Sequence, residues 1–127
     1  MSERDSLSDD EREYFLGLNR QWIGYDNGYW VTFRVTAVEV SDARPHGFQY
    51  SFSLHDANDE RILGYNNAHP VDAVTGPARR SKRPAGWDHI TRRGKSKSVP
   101  YTFTSPYQLV ADFFAEVDEI LRKEGVQ

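Results

Sequence analysis

The apolar positions follow two rhythms, a period of two through the middle of the chain and a helical period at both ends. The clearest run is Phe48, Tyr50, Phe52 and Leu54, alternating with Gln49, Ser51, Ser53 and His55. It predicts a strand with one face inward. Before it, Trp22-Ile23-Gly24-Tyr25 and the run from Tyr29 to Val35 flank Asp26-Asn27-Gly28. Asn-Gly between two β-rich runs predicts a hairpin, because both residues accept the positive φ of a type I′ turn. Val31, Phe33, Val35 and Ala37 share a face, while Val38 and Val40 fall out of phase. A bulge near Ala37 is the expected way to return those two to the core. Ser41 to Gly47 reads as a turn,. Ala57 to Glu60 reverses the chain again, and Arg61-Ile62-Leu63-Gly64-Tyr65 comes back beside the strand before it. Short successive connections predict a meander.

The ends read differently. Ser8-Asp9-Asp10-Glu11 has the capping-box form with acidic residues in the first turn, predicting a short helix over about 9–18 with Tyr14, Phe15 and Leu18 on one face. Pro100 to Thr104 can form one more short strand, and Ser105-Pro106-Tyr107-Gln108 then opens a second helix, with Ser as N-cap and Pro at the first helical position. Leu109, Phe113, Val117, Ile120 and Leu121 give it an apolar face, and Asp112, Glu116, Asp118 and Glu119 a polar one,. Residues 70–98 break every period. The expected fold is α+β: an antiparallel β-meander of about five strands with the C-terminal helix packed on one face and a short N-terminal helix. A chain of 127 residues suits one domain,. It divides into an N-terminal arm and helix over 1–19, the meander over 20–69, a long basic loop over 70–98, and a strand plus helix over 99–124.

Composition narrows the chemistry. Cysteine is absent, which removes disulfides and thiolate metal sites. No apolar run approaches the roughly 20 residues that span a bilayer, and the polar, acidic start is unlike a secretory signal. A cytoplasmic protein that does not engage membranes is expected. The net charge of −3 hides a division. Arg79, Arg80, Lys82, Arg83, Arg92, Arg93, Lys95 and Lys97 cluster with only Asp88 among them, on an otherwise acidic chain. A polyanion responds to the local field rather than to the total. Cations interleaved with Trp87 suit single-stranded nucleic acid, and RNA is the expected partner. The competing reading is a loop that docks on an acidic protein.

Two stretches carry candidate chemistry. Gly64-Tyr65-Asn66-Asn67-Ala68-His69-Pro70 lies at a strand end beside the long loop, a common place for sites. The plainer reading makes Asn66 and Asn67 strand caps and His69 a solvated loop residue. Trp87-Asp88-His89 follows, with Arg92-Arg93 close behind. These side-chain types cleave phosphodiesters without a metal: a base takes the 2′-hydroxyl proton, an acid protonates the leaving oxygen, and cations hold the pentacoordinate phosphate. His69 and His89 are the candidates for proton transfer, imidazole being the side chain that ordinarily titrates nearest neutrality. Asp88 is placed to orient His89. Arg92 and Arg93, with Arg79 and Arg80, are candidates for phosphate, and Tyr65, Asn67 and Trp87 for substrate positioning. His69, His89 and Asp88 could also supply metal ligands, but no H-x-x-x-H spacing places two on one helical face. No metal or cofactor is expected. His46 and His55 read as a turn residue and an outward strand residue.

Several separated motifs, in order, resemble the TumE-type proteins of prokaryotic toxin–antitoxin systems. They are an Arg-Pro-x-Gly turn at Arg44 to Gly47, a Gly-Tyr-Asp-Asn-Ala-His stretch at Gly64 to His69, an Asp-His-x-His element at Asp88 to Thr91, and an Asp-Phe-Phe helix at Asp112 to Phe114. The likeness spans about 25–122. Asn66 stands where the pattern has Asp, and Thr91 where it has a second His. The resemblance implies a small toxin acting on RNA, an endoribonuclease, neutralised by a co-encoded antitoxin that often carries a helix-turn-helix. The rival is a non-catalytic module that binds nucleic acid or protein through residues 79–97.

Overall fold

The computed structural model describes residues 7–42, 44–67 and 88–125. Among these residues six antiparallel strands stand in chain order in one sheet: β1 Trp22–Gly24, β2 Trp30–Ala37, β3 Phe48–His55, β4 Arg61–Asn66, β5 His89–Arg92 and β6 Val99–Pro100. Two helices, α1 Asp9–Gly17 and α2 Pro106–Lys123, precede and follow it. This is the predicted α+β meander, with one strand more than expected. Among the described residues no helix is long and apolar enough to cross a membrane.

Local chemistry sets the helix ends. Ser8 accepts from the Glu11 amide and Glu11 reaches back to the Ser8 amide, at 3.1 and 2.8 Å, which completes the capping box,. At α2, Ser105 Oγ accepts from the Gln108 amide at 3.0 Å. The Gln108 side chain leaves the cap and donates to Asp112 Oδ1 at 2.7 Å. In the β1–β2 connection Asn27 and Gly28 both take positive φ, 66° and 85°, as the Asn-Gly pair requires. A bond of 2.7 Å from the Tyr25 amide to the Tyr29 carbonyl closes that loop.

Alternation assigns the two faces. Val31, Phe33 and Val35 stand beside Leu54, Phe52 and Tyr50, and Phe52 and Leu54 beside Tyr65 and Leu63. All are buried beneath the helices with Phe15, Leu109, Phe113, Val117 and Leu121. Phe113 meets Phe33, Phe52 and Tyr65 edge-on, with ring centres 5.5–6.0 Å apart, a favoured aromatic geometry. The opposite face carries Thr32, Arg34, Ser51, Ser53, Asn66, His89 and Thr91.

Two expectations are corrected. No bulge returns Val38 and Val40 to the core: β2 and β3 pair in unbroken register from Trp30↔His55 to Ala37↔Phe48, and Val40 stays exposed. The strand simply stops, and the irregularity falls between Leu54 and His55 on the β4 side. Residues 88–98, assigned to a long loop, contain β5, which pairs Leu63↔Arg92 through Asn66↔His89. A four-residue strand whose one apolar member is Ile90 has too few positions to show a period, and its partner holds it in place. The remainder of that loop lies outside the described residues.

Candidate functional site

Three of the four motifs meet around the start of β3, and the fourth, Asp112 to Phe114, lies on α2. The turn before β3 closes through a 3.0 Å bond from the Gly47 amide to the Arg44 carbonyl. Gly47 takes φ 83°, open to glycine at little cost. Positions 46, 48 and 50 are thereby in phase, and His46 turns inward with Phe48 and Tyr50. Its ring lies against Phe103, centres 4.2 Å apart, and the residue is 6% exposed. Neither ring nitrogen has a hydrogen-bond partner. Among the described residues the anionic group beside it is Asp88, whose Oδ2 is 3.8 Å from His46 Nε2. The same oxygen accepts from the Tyr50 hydroxyl at 2.8 Å. Burial, reinforced by Asp88, pushes the Tyr50 phenol well above its ordinary pKa, so Tyr50 remains a donor,. A buried imidazole with two unmatched nitrogens beside a carboxylate is costly to keep for stability alone.

Asn67 ties the second motif to the same strand. Fully buried, it accepts from the Tyr50 amide at 2.8 Å and donates to the Phe48 carbonyl at 2.9 Å. Its amide side chain continues the β3–β4 ladder past the end of β4, so it is engaged with backbone. Asn66 and His89 face each other across β4 and β5, both buried. Thr91, where the family pattern has histidine, shares a hydrogen bond of 2.9 Å with Ser98. Asp88 and His89, adjacent in sequence, serve opposite sides of the sheet: Asp88 meets Tyr50 beneath the helices, while His89 follows the alternation of β5 to the other face.

The arginines lie elsewhere. Arg92 reaches Glu116 of α2 with two nitrogens, one through a short contact from Nε to Oε2 and one from Nη2 to Oε1 at 3.0 Å. The Tyr65 hydroxyl donates to Glu116 Oε1 at 2.8 Å. Burial alone would raise the Glu116 pKa, but the bonds from Arg92 and Tyr65 outweigh it and hold the carboxyl below its usual range. Tyr101 donates to Asp112 Oδ2 at 2.6 Å on the same helix. Together these groups line a groove of about 510 Å³ between α2 and β5. Arg93 pairs with Asp56 at 2.8 Å, Glu60 at 3.3 Å and Glu124 at 3.8 Å. The structure therefore joins Asp88 to Tyr50 and His46, and joins Arg92, Tyr65 and Glu116. It does not bring Arg92 or Arg93 to His89. His69, Arg79, Arg80 and Trp87 lie outside the described residues. Among the described residues no group of three or more His, Asp or Glu could hold a metal ion.

His46, Tyr50 and Glu116 were missed as functional candidates. For His46 a signal existed: it stands two residues before Phe48, in step with the core-facing alternation.

In class this is a small α+β domain, one antiparallel meander under two helices, with three of its four separated motifs drawn to the ends of the middle strands. The chain belongs to the TumE toxin family, whose model, Toxin TumE, matches residues 5–121. That span takes in α1, which the motif resemblance left aside and which contributes Phe15 to the core. Membership carries the role of toxin, and with it an antitoxin partner. Neither a curated protein nor a solved structure matches the chain.

Proposed function

We propose that this toxin acts in the cytoplasm by cutting RNA without a metal, and that a helix-turn-helix antitoxin restrains it. The observation that supports the reading most is His46, buried, unmatched at both nitrogens and 3.8 Å from Asp88. His46 and His69 supply the two proton transfers, one from the 2′-hydroxyl and one to the leaving oxygen, because His89 turns to the face of the sheet opposite His46 and Asp88. Asp88 acts on His46 rather than on His89, and Tyr50 fixes the Asp88 carboxylate by donating to it. Asn67 acts by holding the strand that carries Tyr50. Arg92 and Arg93 serve the phosphate only by giving up carboxylate partners, so Arg79 and Arg80 take the larger share of that role.

Inducing the chain in cells and following growth and total RNA tests this reading. His46→Ala should lower cleavage at least about 100-fold while thermal unfolding shows a folded protein, His89→Ala should lower it less, and EDTA should leave cleavage unchanged. Growth arrest that survives both substitutions would favour the non-catalytic binding module instead.

A further inference from the structure

On the face of the sheet away from the helices, β1 and β2 carry a patch that none of the family motifs includes. Trp22 is the most exposed tryptophan among the described residues, at 66%. With Arg20, Trp30, Thr32 and Arg34 it lines an open cavity of about 520 Å³. Pairing explains the arrangement. Trp22 faces Thr32, and Gly24 faces Trp30. Glycine at 24 leaves the room over which the Trp22 ring lies, since a Cβ there would stand 3.0 Å from it. Trp30 is held flat on its other side, stacked on His55 at 4.1 Å and 12°, with its indole N–H donating to Asp59 at 3.0 Å. Two indoles thus stand on neighbouring strands of one face of the sheet, with Trp30 held by its partners.

Apart from the Asp59 carboxylate that takes the Trp30 indole N–H, the charge around them is cationic. Arg20, Arg34 and Arg61 take part in no ion pair among the described residues, and no carboxylate lines the cavity. Arg20 is held in the left-handed region at φ 72° by a 2.8 Å bond from its amide to the Phe33 carbonyl. A non-glycine residue kept there needs its surroundings to enforce it. Exposed aromatic rings bordered by unpaired cations suit a polyanion whose bases are free to stack, and duplex RNA offers no such bases.

We propose that Arg20, Trp22, Trp30 and Arg34 form a binding surface for single-stranded RNA, with bases stacking on the indoles and arginines on the phosphates. This rests on the reading that RNA is the toxin's target, but not on which residues cut it. The probe is a fluorescent 2′-O-methyl oligouridine, which lacks the 2′-hydroxyl and so cannot be cleaved by that route. Binding of the full chain is read by anisotropy. Trp22→Ala should weaken binding about tenfold and Trp22→Phe should restore most of it. Arg20→Gln and Arg34→Gln should each flatten the log–log salt dependence by about 0.7, and a duplex of the same length should bind with no sensitivity to Trp22. Circular dichroism melts of the variants should match the parent, since the substituted side chains stand in the open.

Unchanged oligouridine binding by Trp22→Ala would overturn the proposal, as would a loss of antitoxin binding in that variant with RNA binding intact. If the parent binds the oligomer through Trp22 but cleaves no RNA, the catalytic reading fails and this surface stands. If it cleaves RNA and Trp22→Ala binds and cleaves normally, the reverse holds.

Discussion

The groove beneath α2 and the patch on β1–β2 are made from the same kinds of side chain, arginines and aromatics, on opposite faces of one sheet. In the groove every charge is answered: Arg92 and Tyr65 both spend their hydrogen bonds on Glu116, and Tyr101 spends its own on Asp112. On the patch Arg20 and Arg34 have no ion-pair partner among the described residues, and Trp22 is bare. The contrast teaches that membership of a cationic run does not by itself leave an arginine free. Arg92 and Arg93 belong to the densest basic stretch, yet the acidic body neutralises both. Scattered arginines at positions 20, 34 and 61, invisible as a cluster, form no ion pair among the described residues. Binding follows the free charge, and stability follows the paired charge.

Three substitutions sharpen that division. Phe113→Ala removes the ring that α2 presents to Phe33, Phe52 and Tyr65. It should cost about 3–5 kcal/mol in urea unfolding, and the groove should loosen with its helix. Asn67→Ala comes next. It leaves the Tyr50 amide and the Phe48 carbonyl buried without their side-chain partner, at about 2 kcal/mol, and hydrogen exchange at Tyr50 should accelerate. If Asn67→Ala proves neutral, the buried amide is not holding the strand.

Glu116→Gln is the mildest, about 1 kcal/mol at neutral pH, because solvent reaches the pair and screens it. Its signature is pH dependence. Since the folded-state pKa of Glu116 is depressed, the stability it contributes is fully present above the unfolded glutamate pKa of about 4.3. That contribution is lost as pH falls through the lower folded value. The parent should therefore lose more stability than Glu116→Gln as acid is added below about pH 4. Parallel titration curves would show that the pair is idle, and the electrical contrast between the two regions would shrink accordingly. None of the three should alter oligouridine binding while the protein remains folded.

Sequence periodicity reached most of the scaffold because β3 and α2 are long enough to repeat: four alternating aromatic or leucine positions in one, and several turns of apolar face in the other. It missed β5 because four residues with one apolar member show no rhythm, and Pro100 cuts β6 to two residues. The site was harder. Asp88 and His89 were read as neighbours that cooperate, whereas extended backbone sends adjacent side chains to opposite faces. Asn67 reads in sequence both as a strand cap and as a substrate contact, and its amide is spent on backbone, as the cap reading has it. Ion pairs such as Arg92–Glu116 join residues far apart in the chain, and no local pattern announces them.

The margins of the sheet carry a last consequence. β1 is three residues long, and β6 is two residues ending in a proline with no amide hydrogen to give. Neither border offers enough unpaired ladder for a stray strand to zip onto. A folded copy thus presents its neighbours with little strand edge among the described residues.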